Sequence, residues 1–233
     1  MNDGMDAGLG FELLWDGDAC LVVNKPPGLL TQAPPGIDSL EVRVKRYLAD
    51  QAGTPHSPYL AVLHRLDRPA SGVLVLARRI NAARKISLQF EHREIDKRYW
   101  ALVEGHVEPD KGEWIDWMRK VEGEARSEIC SADVAGAQQA VLRYQVIRRL
   151  ARATLLEIEL ETGRTHQIRL QTGSRGHPIL GDALYGSTTA FGPDTPDERA
   201  RWIALHARRL EFIEPALKQR VVVEAEPRWT WPD

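Results

Sequence analysis

Cysteine is nearly absent from this chain: Cys20 and Cys130 are the only two among 233 residues. Two thiols cannot build a disulfide framework, so a cytoplasmic protein held by a hydrophobic core is expected rather than a small secreted one. Long hydrophobic runs are absent too, and no segment approaches the roughly 18 apolar residues that a membrane helix needs. Met1 to Asp6 offers acid where a secretory leader has a basic start and an apolar stretch, so no signal peptide is expected. There is no Gly-x-Gly-x-x-Gly, no phosphate loop and no Gly-x-Ser-x-Gly, the common signatures of dinucleotide, nucleotide and serine-hydrolase chemistry. The seven histidines (56, 64, 92, 106, 166, 177 and 206) contain no pair at a ligand spacing such as His-x-x-x-His. No metal and no other cofactor is expected, and the two cysteines read as core rather than as nucleophiles.

What is present is ordinary in amount and uneven in place. Hydrophobic content is 43% and charged content 27%, which excludes disordered and fibrous classes. Formal net charge is −2, so bulk charge does not mark nucleic-acid binding. Yet His64 to Arg98 holds nine Lys or Arg against four acids, and Glu104 to Glu128 holds eight acids against four bases. A basic stretch beside an acidic one can steer a polyanion onto one side, although a solvated helix face explains the same charges.

Phe11 to Asn24 reads as strand, turn, strand, ended by Lys25-Pro26-Pro27-Gly28 because proline cannot continue a ladder. Ser39 caps a helix over residues 40–51, with Leu40, Val44, Tyr47 and Leu48 at helical spacing and Gly53 and Pro55 beyond it. Residues 73–77 form a short buried strand. Asn81 is expected to cap a helix from Ala82 to about Arg93, with Ile86, Leu88 and Phe90 inward. Tyr99 to Gly105 is a strand, Lys111 to Val134 suggests hairpins, and 138–150 with 151–162 forms a strand pair in which Leu156, Ile158 and Leu160 share a face. Thr165 to Gln171 starts a helix, Pro178 to Tyr185 is a turn-rich loop, and 203–212 and 220–225 are closing strands. Many strands and few helices, out of βαβ alternation, imply an α+β class with a mostly antiparallel sheet. A flexible segment 1–10 followed by one domain over 11–233 is expected.

Four constellations can carry chemistry. In His64-Arg65-Leu66-Asp67-Arg68-Pro69-Ala70-Ser71-Gly72 a carboxylate stands between two guanidiniums that favour its ionised form if they lie near it; alone, this reads first as a surface salt bridge. Lys97-Arg98-Tyr99 sets a ring after two cations, able to stack on a planar partner, to move a proton, or simply to cap a core. Thr162-Gly163-Arg164-Thr165-His166-Gln167-Ile168-Arg169 follows the best strand. On one helix Arg164 and Arg169 would face different partners, near a helix start where cations are disfavoured, and such a misfit marks function. Gly176 to Gly186 makes a shaped loop, either a plain turn or a pocket wall.

Together these segments resemble the RluA-like family of RNA pseudouridine synthases. Asn24-Lys25-Pro26-Pro27-Gly28 is similar to its early Asn-Lys-Pro-x-Gly turn, and His64 to Gly72 to its His-Arg-Leu-Asp-x-x-Thr-Ser-Gly motif. Lys97 to Gly105 is similar to Lys-x-Tyr-x-Ala-x-Val-x-Gly, and Gly163 to Arg169 to Gly-Arg-Thr-His-Gln-Ile-Arg. Gly176 to Gly186 and Leu205-His206-Ala207 complete six matches in the family's order. The resemblance implies a mixed, largely antiparallel central sheet with flanking helices and a cleft across it. It implies Asp67 as the essential acid, Tyr99 as the stacking ring, Arg169 as the partner of Asp67, and Arg65 as the filler of the stack left by the base. Arg68, Lys97, Arg164 and His166 join Arg65 as expected RNA contacts. Ala70 departs from the family threonine, and Leu170-Gln171-Thr172 from the commoner Val-His-Leu. No separate amino-terminal RNA-binding domain is expected before Phe11.

The implied substrate is structured RNA, ribosomal or transfer, met by a cytoplasmic monomer with no membrane and no protein partner. Asp67 would act as a nucleophile or as a base, which the sequence leaves open. A glycoside hydrolase is the rival enzyme, needing a second carboxylate for which Asp182 is the candidate. A catalytically silent RNA-binding module is the rival outside catalysis.

Overall fold

A computed structural model of the chain describes residues 8–54 and 58–229. In chain order the elements are β1 (Glu12–Asp16), β2 (Cys20–Lys25), α1 (Leu40–Ala52), β3 (Ala61–Val62), β4 (Ser71–Ala77), α2 (Ile80–Glu91), β5 (Asp96–Glu104), β6 (Lys111–Lys120), β7 (Ser127–Ile129), β8 (Gln138–Arg149), β9 (Ala153–Leu160), α3 (Gln167–Gly173), β10 (Leu205–Glu214) and β11 (Gln219–Glu224). The class is α+β and largely antiparallel, as the order of strands and helices implies. Contacts divide the chain into two compact units. Unit 1 holds the residues up to Lys97, Asp197–Ala200 and His206–Pro227; unit 2 holds Arg98–Pro196, Arg201–Leu205 and the residues from Arg228. Of the expected flexible segment, residues 1–7 lie outside the described residues, and so do Pro55 and His56.

In unit 1 β2 pairs antiparallel with β1 and β4, β3 with β4, and β11 with β10. The short β4–β10 pairing is parallel, with His206 opposite Ser71 and Ala207 opposite Gly72. Every residue of β4 is buried, and the strand starts at Ser71, two residues before the expected start, because β10 pairs with Ser71 and Gly72 and β2 reaches Gly72. Alternate residues (Cys20 and Val22, Val73 and Val75, Leu210 and Phe212, Val221 and Val223) meet Ile86 of α2 in one core cluster. Each such side chain contributes about 1.5–3 kcal/mol by leaving water.

The Ser39 cap is formed: its side chain accepts from Val42 N–H, and Gly53 ends α1 in the left-handed region at φ 60°. The expected Asn81 cap is not. Arg79 is the N-cap residue and makes no side-chain cap bond. Packing sets the start of α2 instead: Ala82, Ile86 and Gln89 are buried, and the Gln89 amide bonds both the N–H and the C=O of Ile213. Leu88, expected inward, is 41% exposed, whereas Phe90 packs on the core.

In unit 2 the strands run antiparallel in the order β5, β9, β8, β6, β7. β9 keeps the expected alternation, with Leu156 and Ile158 buried and Glu159 exposed. α3 has only seven residues, and Gln167 to Thr172 are all buried. Its polar groups are therefore bonded. Gln167 Nε2 donates to Val141 O at 3.1 Å, Gln171 Nε2 to Asp116 Oδ2 at 2.7 Å, and the Thr172 hydroxyl to Ile168 O at 2.9 Å. The departures at Gln171 and Thr172 thus bring their own partners behind Arg169.

Candidate active site

Unit 1 carries Arg65, Asp67, Arg68 and Lys97, and unit 2 carries Tyr99, Arg164, His166 and Arg169. The Asp67 turn follows β3 and is built against the segment after β2. His64 precedes it: its Nε2 accepts from Val75 N–H at 3.1 Å and its ring lies 4.8 Å from that of Phe90. Burial, helped by the Lys97 charge, pushes the His64 imidazole down to about 3, so it is neutral at physiological pH. Arg65 is exposed, while Asp67 and Arg68 are half-buried. Leu66 is bonded through both peptide groups to the Thr31 hydroxyl, which donates to its C=O at 2.9 Å and accepts from its N–H at 3.2 Å. Asp67 O accepts from Ala70 N–H at 3.1 Å. Arg68 O accepts from Gly28 N–H at 2.8 Å, and Arg68 Nε returns a bond to Gly28 O at 2.9 Å.

Lys25 lies beneath this turn with no exposed surface. Its Nζ donates to Pro26 O (2.9 Å), Leu29 O (2.8 Å) and Arg68 O (3.3 Å), which take the three N–H groups of an ammonium. Burial pulls its pKa down to about 7 against the attraction of the Asp67 carboxylate, with Arg68 adding to the fall. The turn leaves through Gly72, whose φ of 124° suits no other residue and where a Cβ would lie 2.4 Å from the Ala207 backbone. Beside it Ser71 Oγ and His206 Nδ1 are 2.8 Å apart, and His206 Nε2 is 2.9 Å from Ala225 O. The carbonyl can only accept, so Nε2 carries the hydrogen and Nδ1 accepts from Ser71. Burial pushes the His206 imidazole down to about 4. Ala70 is 2% exposed, a site that suits a methyl group.

Lys97 places its Nζ 5.8 Å from the Phe90 ring centre, and burial lowers its pKa. Tyr99 is the fourth residue of β5, opposite Ile158 and half-buried, and Arg98 pairs with Glu157 at 3.1 Å. The helix expected from Thr165 starts later, at Gln167, because His166 takes the left-handed conformation at φ 57°. Arg164 therefore stands outside the helix, in the turn before it. Its N–H donates to Gln167 Oε1 and its Nε to Gln139 O, both at 3.0 Å.

Arg169 is 5% exposed and is gripped by Asp182, itself 1% exposed. Nε donates to Oδ2 at 2.6 Å and Nη2 to Oδ1 at 2.8 Å, a two-pronged pair. The guanidinium also lies 5.1 Å from the Tyr185 ring centre. The Tyr185 hydroxyl accepts from Ser127 N–H at 2.9 Å and is 2.9 Å from His166 Nδ1. Arg169 and His166 thus share Tyr185. The Asp182 carboxylate has both oxygens on Arg169, which leaves the hydrolase alternative without its second acid. Among the described residues there is no group of three or more His, Cys, Asp or Glu suited to a metal ion, and no helix long and apolar enough to cross a membrane.

Sequence reasoning missed Lys25, Thr31, Asp182 and Tyr185 as parts of the site. Lys25 and Tyr185 lay inside matched motifs as fixed letters without a role, and Asp182 was considered only as the second acid of a hydrolase, not as the partner of Arg169. Thr31 carried no signal at all.

Unit 1 thus holds a carboxylate on a braced turn, and unit 2 a buried arginine paired with Asp182. Residues 19–174 match the family model described as RNA pseudouridylate synthase, a span that contains Asp67, Tyr99 and Arg169. The chain belongs to this family, whose members are isomerases that modify RNA. It is 32% identical over 232 residues to a tRNA pseudouridine synthase C of Vibrio vulnificus, covering 94% of this chain and 92% of that protein. It is 30% identical over 216 residues to a ribosomal large subunit pseudouridine synthase C of Vibrio cholerae, covering 91% of this chain and 64% of that one. Among solved structures it is similar to human RNA pseudouridylate synthase domain containing 4, with a TM-score of 0.74, 25% identity, and coverage of 93% and 88%.

Proposed function

We propose that this chain isomerises one specific uridine of a structured tRNA or rRNA, with Asp67, Tyr99 and Arg169 as its catalytic residues. The bond between uracil N1 and the ribose C1′ breaks, the base turns, and C5 bonds to C1′. C5 then gives up its proton and N1 takes one, so nothing is oxidised and no group enters. Asp67 serves either as the nucleophile that holds the sugar or base between the two bonds, or as the base that takes a sugar proton. The carboxylate must be charged for both, and keeping it so is the task assigned to Arg169. Tyr99 holds the ring by stacking, worth about 1–3 kcal/mol per base. The uridine must leave its helix at a cost of a few kcal/mol, and Arg65, which is exposed, fills the gap. Arg68, Lys97, Arg164 and His166 take the surrounding RNA. The protein acts in the cytoplasm as a monomer without a protein partner.

The observation that supports this most is the fixed backbone on both sides of Asp67 within the matched family segment. The test is incubation of the purified chain with unmodified tRNA and rRNA, followed by mapping of pseudouridine. Conversion at one uridine with no free uracil is expected. Release of uracil would mark a hydrolase, and binding without product a silent module. RNA affinity should fall steeply between about 50 and 200 mM salt as phosphate contacts release counterions, and a flat response would contradict an RNA substrate.

A further inference from the structure

Asp67 lies between two residues whose backbones are tied to the segment from Lys25 to Thr31. On the exit side Arg68 is held several times over, by Gly28 N–H and Lys25 Nζ on its carbonyl and by its own Nε on Gly28 O. On the entry side both hydrogen-bonding groups of Leu66 end on one atom, the Thr31 hydroxyl oxygen. Thr31 is 3% exposed and Leu66 8%, so solvent has little access to replace these bonds. The Leu66 carbonyl belongs to the peptide plane that enters Asp67. The Asp67 carbonyl, bonded to Ala70 N–H, belongs to the plane that leaves it. Peptide units are planar, so two fixed planes fix φ and ψ of the residue between them. Only the side-chain torsions of Asp67 remain.

We propose that Thr31 is a positioning residue for Asp67: its hydroxyl, acting through the Leu66 peptide, aims the carboxylate for the isomerisation. The inference rests on Asp67 being the essential acid. A hydroxyl is needed because one atom must donate and accept at once. Valine matches threonine in shape and can do neither, whereas serine can do both. The strands on either side, β2 and β4, pair with each other through their own backbones, so loss of the hydroxyl should loosen the turn and leave the frame.

The test uses the full chain with Thr31→Val, Thr31→Ser and, as reference, Asp67→Asn. It measures kcat and KM on the RNA that the wild type modifies, with a thermal unfolding scan of each variant. T31V should lose about tenfold to a hundredfold in kcat, the scale set by a misplacement of about 1 Å, with KM within about twofold. T31S should recover most of that loss. Should T31V not fold, Thr31→Cys, with a thiol that donates and accepts weakly, should fall between T31S and wild type on one side and inactivity on the other. Wild-type kcat in T31V beside an inactive D67N overturns the proposal. So does a T31S as impaired as T31V, or a loss that only follows the folded fraction. Turnover by D67N instead overturns the assignment of Asp67, and the positioning role with it.

Discussion

The turn around Asp67 and the helix around Arg169 solve the same problem by different means. Asp67 is fixed through the main chain: Thr31, Gly28 and Lys25 grip the peptide groups of Leu66 and Arg68. Arg169 is fixed through its own side chain, by both oxygens of Asp182 and by the face of Tyr185. The difference follows from the chemistry asked of each. For Asp67 the hydrogen bonds of Leu66, Arg68 and its own carbonyl hold the backbone on both sides of the carboxylate. A buried guanidinium cannot shed its charge, so it has to be paired wherever it sits.

That contrast can be broken from either side. The largest effect is expected from Asp182→Ala, which takes both oxygens of a two-pronged partner from a buried charge and should cost about 3–5 kcal/mol in denaturant unfolding. A change below about 1 kcal/mol would mean that Arg169 is held by something other than this pair. Lys25→Met should cost about 2–3 kcal/mol, because the Pro26, Leu29 and Arg68 carbonyls lose a buried donor. The same unfolding series measures it, and a neutral result would show that the backbone grip survives without the ammonium.

Acid should act next. His206 titrates near 4 when folded and near 6.5 when unfolded. Between those values the unfolded chain binds the extra proton, so stability falls as pH is lowered from about 6.5 to 4 and levels off below. The slope approaches about 1.4 kcal/mol per pH unit for this group. Unfolding at pH 6.5, 5.5 and 4.5 should show it, and His206→Gln should remove about half of the slope, leaving the share of His64, which burial holds down to about 3. The smallest effect is expected from Tyr185→Phe, which keeps the ring against Arg169 and loses the bonds to Ser127 and His166. About 1 kcal/mol is expected, read from the same denaturant curves.

Much of the frame was legible because its causes are local. The cap at Ser39, the glycine stop at Gly53 and the alternation of β9 each follow from a few neighbouring residues. The start of α2 was not legible, since packing of Ile86 and the bonds of Gln89 to Ile213 replace the cap at Asn81. The start of α3 was displaced by one left-handed residue, His166, which no spacing reveals. The acid, ring and arginine stood out as residue types in a recognisable order. Their supports did not. Asp182 meets Arg169 across 13 residues and Thr31 meets Leu66 across 35, and such bonds exist only after folding.

The most direct measurement is turnover by D67N on RNA carrying tritium at uridine C5, with RNA binding followed in parallel. Tritium leaves only when C5 bonds to the sugar. Release at least about 100-fold slower than wild type, the low end of what a positioned proton-transfer group supplies, is expected with affinity essentially kept. Release near the wild-type rate would contradict the role given to Asp67.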